Sequence, residues 1–391
     1  MRVLQVHNRY RRPGGEDTVL ANEARLLREQ GHQVDLLEVR NDEHDPQTLG
    51  QKLAAARDVV WSAAGTAAMD DALGRFRPDV VHVHNTFNKL SPAVLRTAAA
   101  RRVAVVHTLH NFRALCANGL LLREGRPCEL CLDSGRLNAI RHRCYRGSRA
   151  ASAVVTFTGA LHLRAGTFAQ RGLRLIALTE FARAVFLRGG VDARVLRVKP
   201  NFVYPSAVTA PREQRIVFVG RLAPEKGVDL LLDAWRRLRP PGWTLDLLGD
   251  GEVGKDGARD GGEGVRFLGW RSPPEVMQSV AGARFLVMAS RWYETFGMVL
   301  VEAFSAGTPV IVPALGAMGE LVDDGVSGFC FTPGSVESLV QTMAKAIALP
   351  PAAWQTMSEA AARSYEQRFS PATNYQQLMA IYREAIDEAA P

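Results

Sequence analysis

The feature that most constrains the fold of this 391-residue chain is an alternation of short apolar strands with helices, which occurs twice. Short strands that are apolar on both faces and alternate with helices are typical of parallel sheets covered on both sides. In the first half, the pattern predicts strands at 3–7, 34–39, 79–84, 103–109 and 176–178, and helices at 17–30 and 180–187. The first half is therefore predicted to be a doubly wound α/β domain.

A second α/β pattern begins after a segment without periodicity. Residues 199–214 contain Pro200, Pro205 and Pro211, as interdomain linkers often do. Beyond it, strands are predicted at 216–219, 245–248, 265–268, 285–288 and 309–312, and helices at 228–238, 274–281, 296–306, 336–348, 352–369 and 374–389. The predicted domains are a first domain at 1–200, a linker at 201–214, a second domain at 215–370 and a C-terminal helix at 371–391.

The composition is that of a soluble globular protein. It is 47% hydrophobic and 23% charged. The first strand is not preceded by the apolar region of a signal peptide, and no run reaches the ~18 apolar residues that a membrane-spanning helix needs. We therefore expect a cytoplasmic location, which is compatible with peripheral attachment at the inner face of a membrane.

Positive charge is concentrated in one part of the chain. The whole chain has a net charge of +8, but residues 96–174 alone contain fourteen Arg, no Lys and three acids, a net charge of +11. No aromatic residues that would stack on bases are interleaved with these arginines, which argues against nucleic acid as a partner. An anionic membrane surface or a pyrophosphate-bearing acceptor is the preferred partner, and an Arg-rich surface without a partner is the alternative.

Two carboxylates flank the start of a predicted helix in the second domain. Glu294 and Glu302 are separated by seven residues, and the helix start between them is small or apolar. A helix N-terminus favours anions because its first N–H groups lack partners and the helix dipole is positive there. A nucleotide sugar, which joins phosphates to hydroxyls, would suit such a site, whereas a solvated helix face is the alternative.

Two glycine-containing loops follow predicted strands. Gly14 and Gly15 come after the first strand, where they would let the backbone approach a ligand and turn into a helix. They do not form a Gly-x-Gly-x-x-Gly dinucleotide motif, and a plain turn is an equal alternative. In the second domain, Arg221 and Lys226 lie five residues apart after a strand, where both could converge on a diphosphate.

These segments together resemble a known family. The chain is similar to retaining glycosyltransferases of family 4, the glycosyl transferases group 1, which have GT-B architecture. The resemblance covers nearly the whole length. It is carried by Gly14-Gly15, Gly220-Arg221-(x4)-Lys226-Gly227, Gly249-Asp250-Gly251, Glu294-(x7)-Glu302 and Gly307-Thr308-Pro309-Val310. It implies an α/β fold in which two doubly wound Rossmann-like domains face each other across a cleft, with the C-terminal helix crossing back to the first domain.

The resemblance also implies roles for individual residues. The implied catalytic residues are Glu294, His110, Arg221 and Lys226. The implied donor-binding residues are Gly14, Gly15, Arg221, Lys226, Glu294, Phe296, Gly297, Met298, Val299 and Glu302. Arg221 and Lys226 would hold the diphosphate, Glu294 the sugar hydroxyls and Glu302 the ribose. The N–H groups of Phe296 to Val299 would cap the distal phosphate or sugar. His110 would lie beside the donor sugar, although a loop histidine bonded to backbone is the alternative.

These roles make chemical sense together. A nucleoside diphosphate is a good leaving group, so it needs charge stabilisation more than a general acid. At 1.5 Å per residue, a continuous helix would separate Glu294 from Glu302 by about 12 Å. That exceeds the ~5–9.5 Å carboxyl spacing of glycosidases, which disfavours a hydrolase. We expect front-face attack by the acceptor, retention of configuration and no metal or other cofactor in catalysis, with the nucleoside-diphosphate sugar as co-substrate.

Four of the five cysteines fall within an insert at residues 112–147. Cys128 and Cys131 have the spacing of a zinc knuckle, and Cys116 and Cys144 lie 12 and 13 residues away. Four thiolates can close a tetrahedral zinc site, which would help to order a segment with little regular pattern. Four unlinked thiols are the alternative, because the cysteines do not form two Cys-x2-Cys pairs.

Three functions are compatible with this set of residues. The preferred one is a hexosyltransferase that moves a sugar from UDP- or GDP-sugar to a sugar or lipid-linked acceptor, in the synthesis of a cell-surface polysaccharide or glycolipid. A nucleotide-sugar epimerase of the same fold would need no acceptor, so the basic insert argues against it. A non-catalytic nucleotide-sugar-binding protein is disfavoured because Arg221, Lys226, Glu294 and Glu302 are all present.

Overall fold

A computed structural model describes residues 1–10, 14–41, 47–206, 208–251 and 262–390. Ala207 of the predicted linker and the last residue of the predicted C-terminal helical segment lie outside these ranges. Two compact units are present. The first consists of Met1–Leu121, Cys128–Asn201 and Asn374–Pro391, and the second of Leu122–Pro127 and Phe202–Thr373.

The regular elements alternate as the sequence pattern predicts. The strands are β1 (Arg2–Arg9), β2 (Gln33–Arg40), β3 (Val80–Asn85), β4 (Ala104–Thr108), β5 (Leu122–Arg123), β6 (Arg126–Pro127), β7 (Leu173–Ala177), β8 (Leu196–Val198), β9 (Glu213–Val219), β10 (Thr244–Leu248), β11 (Val265–Gly269), β12 (Ala283–Val287), β13 (Val310–Pro313) and β14 (Gly328–Phe331). The helices are α1 (Gly15–Glu29), α2 (Leu49–Val60), α3 (Ala63–Phe76), α4 (Ala93–Ala100), α5 (Leu130–Asp133), α6 (Leu137–Arg141), α7 (Arg149–Arg164), α8 (Glu180–Arg188), α9 (Val228–Leu238), α10 (Pro273–Gly282), α11 (Met298–Ser305), α12 (Ala317–Leu321), α13 (Val336–Ile347), α14 (Pro351–Arg368) and α15 (Pro371–Ala389).

Each unit contains one six-stranded parallel sheet. The strand order is β2-β1-β3-β4-β7-β8 in the first unit and β11-β10-β9-β12-β13-β14 in the second. Every adjacent pair in both sheets runs parallel. The chain order reverses between β1 and β3 in the first sheet, and between β9 and β12 in the second. Such switch points are where open α/β sheets bind ligands, at the carboxyl ends of the strands.

The second unit has an apolar core in which helix α9 packs on the sheet. Helix α9 places Leu231, Ala234 and Trp235 on one face at helical spacing, and all three are fully or almost fully buried. They pack in one cluster with Phe285 of β12 and with apolar residues of α13 and α14. The periodicity that predicted α9 therefore corresponds to burial against the sheet.

The C-terminal helix α15 packs on the first sheet. Its Leu378 and Tyr382 are fully buried in a cluster with Val3, Val106 and Ile176 of β1, β4 and β7. The cluster combines strand residues from the first half of the chain with a helix from its end. Helix α15 therefore belongs to the core of the first unit.

Several elements lie in segments for which no regular structure was predicted, including α2, α3, α4 and α7. Helix α2 buries only Val59, while its Leu49 and Leu53 are 73% and 63% exposed. Its apolar residues therefore do not mark a buried face. Helix α7 buries small or polar residues such as Ser152 and Gly159, which carry little hydrophobic signal. No helix in the described ranges is long and apolar enough to cross a bilayer.

Candidate functional site

In the second unit, three loops meet at the carboxyl edge of the sheet. Residues 220–227 follow β9, residues 249–251 follow β10 and residues 288–297 follow β12, and these strands are neighbours. The loops approach each other closely. A Cβ at Gly227, where φ is +67°, would lie 2.0 Å from the carbonyl oxygen of Ala289. A Cβ at Gly249 would lie 1.9 Å from the carbonyl oxygen of Gly220. Glycine is therefore required at both contacts.

Glu294 lies at the centre of this edge and is 7% exposed. Its Oε1 accepts hydrogen bonds from Lys226 Nζ at 2.6 Å, Ser290 Oγ at 2.8 Å and Trp292 Nε1 at 3.1 Å. The ammonium group of Lys226 also lies 5.4 Å from the centroid of the Trp292 ring. All three donors bind Oε1, so the hydrogen bonds given by the described residues fix one oxygen of the carboxylate.

The Lys226–Glu294 pair straddles the switch point of the second sheet. Lys226 follows β9 and Glu294 follows β12, the two strands between which the chain order reverses. The loops are tied together by their backbones as well, since Arg291 N donates to the carbonyl oxygen of Glu225 at 2.9 Å. The structure thus places a cation and a carboxylate at the position where such sheets bind ligands.

Arg221 does not join this pair. Its Nη2 donates to Glu225 Oε1 at 2.9 Å, and its side chain is 66% exposed. Arg221 and Lys226 follow the same strand, but the two cations have different carboxylate partners in this structure. An exposed ion pair of this kind is weak, so a phosphate could compete for Arg221.

The helix that separates Glu294 from Glu302 is shorter than predicted. Helix α11 begins at Met298 with Gly297 as its N-cap residue, so Glu294 lies in the preceding loop. The predicted separation of about 12 Å between the two carboxylates assumed one continuous helix. That assumption is wrong, because residues 294–297 lie before the helix. The prediction of free N–H groups from Phe296 to Val299 also shifts, because the first helical N–H groups are those of Met298, Val299 and Leu300.

Of the remaining predicted residues of this segment, Phe296 and Gly297 are buried, and Met298, Val299 and Glu302 are partly exposed. Phe296 is 7% exposed and packs edge-on against Phe369, with ring centroids 6.0 Å apart. Its side chain serves the core rather than the surface. Burial raises the pKa of Glu302, which lies within α11. A hydrogen bond from a ligand hydroxyl to Glu302 would suit a carboxyl group in such surroundings.

In the first unit, Gly14 and Gly15 form the start of α1 at the carboxyl end of β1. Gly14 is the N-cap residue, and its N–H donates to Asp17 Oδ2 at 2.7 Å. No atom of the described residues lies within 4 Å of the position that a Cβ of Gly14 would occupy. The backbone is therefore accessible at a helix N-terminus, which is the geometry predicted for anion binding.

Asn85, Glu16 and Arg113 lie near this turn, and the sequence predicts none of them as a site residue. Asn85, at the end of β3, donates through Nδ2 to the carbonyl oxygen of Asn8 at 2.6 Å and to Glu16 Oε1 at 3.1 Å. Burial, followed by the nearby charge of Asp17, raises the pKa of Glu16 to about 8, against the opposing effect of Arg113. Asn85 directly follows a predicted strand, which was the available signal, whereas Glu16 and Arg113 lie further from the strand ends.

His110 follows β4 and lies beside His84. The two ring planes are 17° apart with centroids 5.4 Å apart, and the rings meet edge to edge, with His84 Nδ1 3.1 Å from His110 Nε2. Burial lowers the pKa of His110 to about 3. The imidazole is therefore neutral near pH 7, and it can exchange hydrogen bonds with a sugar but cannot act as a general acid. Both histidines line a cavity with Asn85, Asn111 and Arg113.

A buried polar cluster, formed by Glu23, His82, His84 and Lys199, contacts His110 through His84. Among the described residues, Glu23, His82 and His84 form the only group of three possible metal ligands with ligand atoms within 4.8 Å of one another. The ammonium group of Lys199 lies 2.9 Å from Glu23 Oε1 and is fully buried. Lys199 thus supplies the positive charge that a metal ion would bring, so these residues form an ion pair with histidine neighbours.

The four insert cysteines are not joined by disulfides. Burial, and then the thiols of Cys116, Cys144 and Cys128, raise the pKa of Cys131 to about 11. The only described group of three ligand atoms within 4.8 Å contains none of these sulfurs. The insert folds only short elements around them, and its small apolar cluster includes Cys131 and Cys144. Zinc binding by these cysteines stays a prediction.

Two family models together cover most of the chain. Glycosyltransferase Family 4 matches residues 13–207, and Glycosyl transferases group 1 matches residues 213–348. Glycogen synthase of Mycobacterium tuberculosis is 28% identical over 319 residues, which are 74% of this chain and 69% of the relative. D-inositol 3-phosphate glycosyltransferase of Mycolicibacterium paratuberculosis is 33% identical over 218 residues, 53% of this chain and 48% of the relative. The chain therefore spans about half the length of the latter.

Solved structures share the fold over nearly the full chain. Anabaena HepE in complex with UDP has a TM-score of 0.65 at 21% identity, over 97% of this chain and 99% of that one. A glycosyltransferase from Rickettsia africae has a TM-score of 0.70 at 14% identity, over 98% of both chains. These likenesses agree with the two parallel sheets described above. The chain belongs to glycosyltransferase family 4, with two Rossmann-like α/β domains of the GT-B fold.

Proposed function

We propose that this glycosyltransferase moves a sugar from a nucleoside-diphosphate sugar to an acceptor hydroxyl with retention of configuration. The observation that carries the proposal is the Lys226–Glu294 pair at the switch point of the second sheet, with Nζ and Oε1 2.6 Å apart. An ammonium group suits a diphosphate, and a carboxylate suits sugar hydroxyls. UDP is the preferred nucleotide of the donor, because Anabaena HepE was solved with UDP and with UDP-glucose. GDP is the second choice.

In this proposal each residue of the second unit contributes a binding interaction. Lys226 stabilises the charge that develops on the departing diphosphate, and Arg221 leaves Glu225 to bind the same phosphates. The free side of Glu294 accepts hydrogen bonds from the sugar, while Ser290 and Trp292 keep its other oxygen in place. Glu302 binds the ribose, and the N–H groups at the start of α11 face the distal phosphate or sugar.

The residues of the first unit complete the proposed chemistry. The loop that contains Gly14 and Gly15 approaches the phosphates, and neutral His110 hydrogen-bonds the donor sugar without protonating it. The acceptor attacks from the face that the diphosphate leaves, so configuration is retained. The phosphates accept the proton of the attacking hydroxyl, and catalysis requires no metal ion.

The acceptor is proposed to carry phosphate, as a lipid-linked pyrophosphate sugar would. The support is the net charge of +11 over residues 96–174, in the unit that carries His110. The product would then be a cell-surface polysaccharide or a glycolipid, made on the cytoplasmic side of the membrane. Equal rates with a soluble sugar and with its lipid-pyrophosphate form would count against this acceptor class.

We further propose that Cys116, Cys128, Cys131 and Cys144 hold a structural zinc ion. The support is the influence of the other three thiols on the pKa of Cys131 and the limited apolar packing of the insert. Bound zinc would deprotonate the thiols and draw the sulfurs together. The ion would order the segment and take no part in transfer.

Donor binding provides the direct test. Calorimetry with UDP, GDP and ADP on the wild type should show one preferred nucleotide. Lys226→Ala should weaken it by about 10- to 150-fold, the equivalent of one charged hydrogen bond of about 1.5–3 kcal/mol. Arg236→Ala is the matched control, because Arg236 pairs with Asp233 on the surface of α9 in the same unit. Failure of all three nucleotides to bind would refute the proposal. Conversion of the donor to its epimer without an acceptor would instead favour an epimerase.

A further inference from the structure

A line of buried polar groups leads to His110 from the interior of the first unit. Lys199 Nζ contacts Glu23 Oε1 at 2.9 Å, and Glu23 Oε2 lies 3.4 Å from His84 Nε2. His84 Nδ1 then lies 3.1 Å from His110 Nε2. Lys199, Glu23 and His84 are at most 2% exposed. The line connects residues that are up to 176 positions apart in sequence.

The charge states along this line follow from the contacts. Burial by itself would raise the pKa of Glu23, but the ammonium group of Lys199 outweighs it, so that the pKa lies below its usual value. Glu23 is therefore a carboxylate, which accepts hydrogen bonds and donates none. Burial lowers the pKa of His84 well below its usual value. His84 is thus neutral, with one protonated ring nitrogen and one acceptor nitrogen.

These charge states select one arrangement of protons. Among the described residues, neither Glu23 Oε2 nor His84 Nε2 has a hydrogen bond of ordinary geometry, but the two atoms lie 3.4 Å apart, and Glu23 Oε2 also lies 3.3 Å from His82 Nδ1. A lone pair of Nε2 would be repelled by the carboxylate at this distance, so we place the proton of His84 on Nε2, the ring nitrogen that contacts Glu23. His84 Nδ1 is then the acceptor, and the proton at the 3.1 Å contact belongs to His110 Nε2. His110 therefore has Nδ1 as its acceptor nitrogen.

We infer that Glu23, held ionised by Lys199, acts through His84 to fix His110 as the Nε2–H tautomer. These three are positioning residues. The effect on catalysis rests on the proposed role of His110 beside the donor sugar. The tautomer of His110 is inferred from the contacts alone and does not depend on that role. In this tautomer Nδ1 of His110 carries no proton. It can therefore accept a hydrogen bond from a sugar hydroxyl but cannot donate one.

Glu23→Gln tests the inference because it keeps the shape and changes the hydrogen bonding. The Gln amide oxygen can still accept from Lys199, while its NH2 group can donate to His84 Nε2. The proton of His84 would then move to Nδ1, and that of His110 to its own Nδ1. In protein labelled with 15N-histidine, the His110 ring signals should exchange their protonated and unprotonated shifts. The chain has nine His, and a His110→Gln variant assigns the signals.

Kinetics of the same variant separate this role from packing. Transfer should fall about 10- to 100-fold, the typical cost of losing an outer partner that orients a histidine. Binding of UDP, which lacks the sugar, should stay at the wild-type level. Thr108→Val is the matched control, because Thr108 Oγ1 contacts the neighbouring His82 at 2.8 Å instead of His84. The control should leave the His110 signals unchanged.

The outcomes are distinct. If Glu23→Gln does not fold, Glu23→Gln/Lys199→Met removes the buried charge while still offering the amide donor, and it should give the same exchange of signals. Unchanged His110 signals in a folded variant would overturn the inference, even if activity fell. Exchanged signals with undiminished transfer would refute the effect on catalysis. A wild type that binds no nucleotide would refute the proposed function and leave the tautomer result standing.

A second, independent observation concerns the surface formed by α2 and α7. Leu49 and Leu53 of α2, Trp61 at its C-terminus and Phe157 of α7 are 73%, 63%, 44% and 58% exposed. Trp61 and Phe157 line one groove with Val60. We call Leu49, Leu53, Trp61 and Phe157 the apolar face. Exposed apolar groups of this size that lie together mark an interaction surface.

The charges on the two helices that carry the apolar face are mainly positive. Helix α2 carries Lys52 and Arg57 against the single acid Asp58, and α7 carries Arg149 and Arg164 and no acid. Both helices belong to the unit that contains the strongly basic stretch. An aromatic and aliphatic face bordered by cations matches the interface of an anionic bilayer, where apolar side chains enter the headgroup region and cations contact phosphate.

We propose that the apolar face docks on an anionic lipid surface. Sedimentation with phosphatidylcholine vesicles, with and without phosphatidylglycerol, should show binding that requires the anionic lipid and falls with salt. Leu53→Ser/Phe157→Ser should reduce the partition coefficient by at least about tenfold. Val326→Ser, which changes an exposed Val (56%) in the second unit, should leave it unchanged. Equal binding of wild type and double variant would overturn the proposal. So would self-association that the double variant abolishes without any vesicle binding, since the occupant would then be a second copy of the chain.

Discussion

Replacing Lys199 by Met should destabilise the first unit strongly, and the structure supplies the magnitude. Lys199 and Glu23 are both fully buried with Nζ and Oε1 2.9 Å apart. At an effective dielectric constant of about 20, two unit charges at that distance attract by about 6 kcal/mol. Removing one partner of a buried pair typically costs about 3–5 kcal/mol, because the other charge stays buried. For a unit of this size, that corresponds to a fall in Tm of about 6–20 °C.

The pH dependence of this loss has a definite sign. In the wild type, the pKa of Glu23 is lowered, so its contribution to stability is present above the usual carboxyl pKa and is lost as the pH falls through the folded pKa. In Lys199→Met, burial without the ammonium group raises the pKa of Glu23. The variant is then favoured by protonation and loses stability as the pH rises. The difference in Tm between the two proteins should therefore grow from pH 5 to pH 8.

The assay is thermal unfolding of wild type, Lys199→Met and Glu23→Gln/Lys199→Met at several pH values. The double variant has no buried charge at these positions, so it should recover most of the lost stability and most of the pH dependence. A Lys199→Met protein whose Tm stays within about 2 °C of the wild type from pH 5 to pH 8 would refute the reasoning. That result would mean that water or another cation compensates Glu23.

Further predictions concern both units. Glu294→Gln keeps the three hydrogen bonds to Oε1 and should leave UDP binding intact while transfer falls at least about tenfold; loss of UDP binding would contradict a role at the sugar. Glu16 has a folded pKa of about 8 against 4.5 unfolded, so stability should fall as the pH rises from 4.5 to 8, and Glu16→Gln should remove that slope in thermal unfolding. Zinc content measured by mass spectrometry should be one ion per wild-type chain and be lost in Cys131→Ser but kept in Cys330→Ser; a metal-free wild type would refute the zinc site. Gly227→Ala forces a Cβ to 2.0 Å from a carbonyl oxygen at positive φ and should cost more than about 1–2 kcal/mol in denaturant unfolding; a neutral effect would contradict the packing of the loops.

Part of the candidate site was predictable because it lies next to strands. Gly14, Lys226 and Glu294 each follow an apolar strand within a few residues, and the carboxyl ends of parallel strands meet at one edge of a sheet. The repeated α/β pattern was enough to place Gly14 at the carboxyl edge of the first sheet, and Lys226 and Glu294 at the carboxyl edge of the second. The start of α11 was misjudged by two residues because Phe296 continues the apolar run, although its ring packs on Phe369 from the preceding loop.

Other features had no local signal. Helix α2 was missed because its Leu49 and Leu53 are exposed, so apolar spacing does not report a buried face there. Glu23 and Lys199 have ordinary sequence surroundings, and 176 residues separate them. Their burial depends on α15, whose Asn374 also accepts from Lys199 at 3.1 Å.

The sequence by itself determined the fold class, the two sheets and the strand ends that carry Gly14, Lys226 and Glu294. Local periodicity reports which face of an element is buried, and glycines mark the turns that follow, so both can be read from neighbouring residues. Only the tertiary structure decided that Lys226 pairs with Glu294 while Arg221 pairs with Glu225, and that His110 ends a line of buried groups beginning at Lys199. Charges choose partners by distance and desolvation in the folded chain, and neither quantity exists until distant segments have packed together.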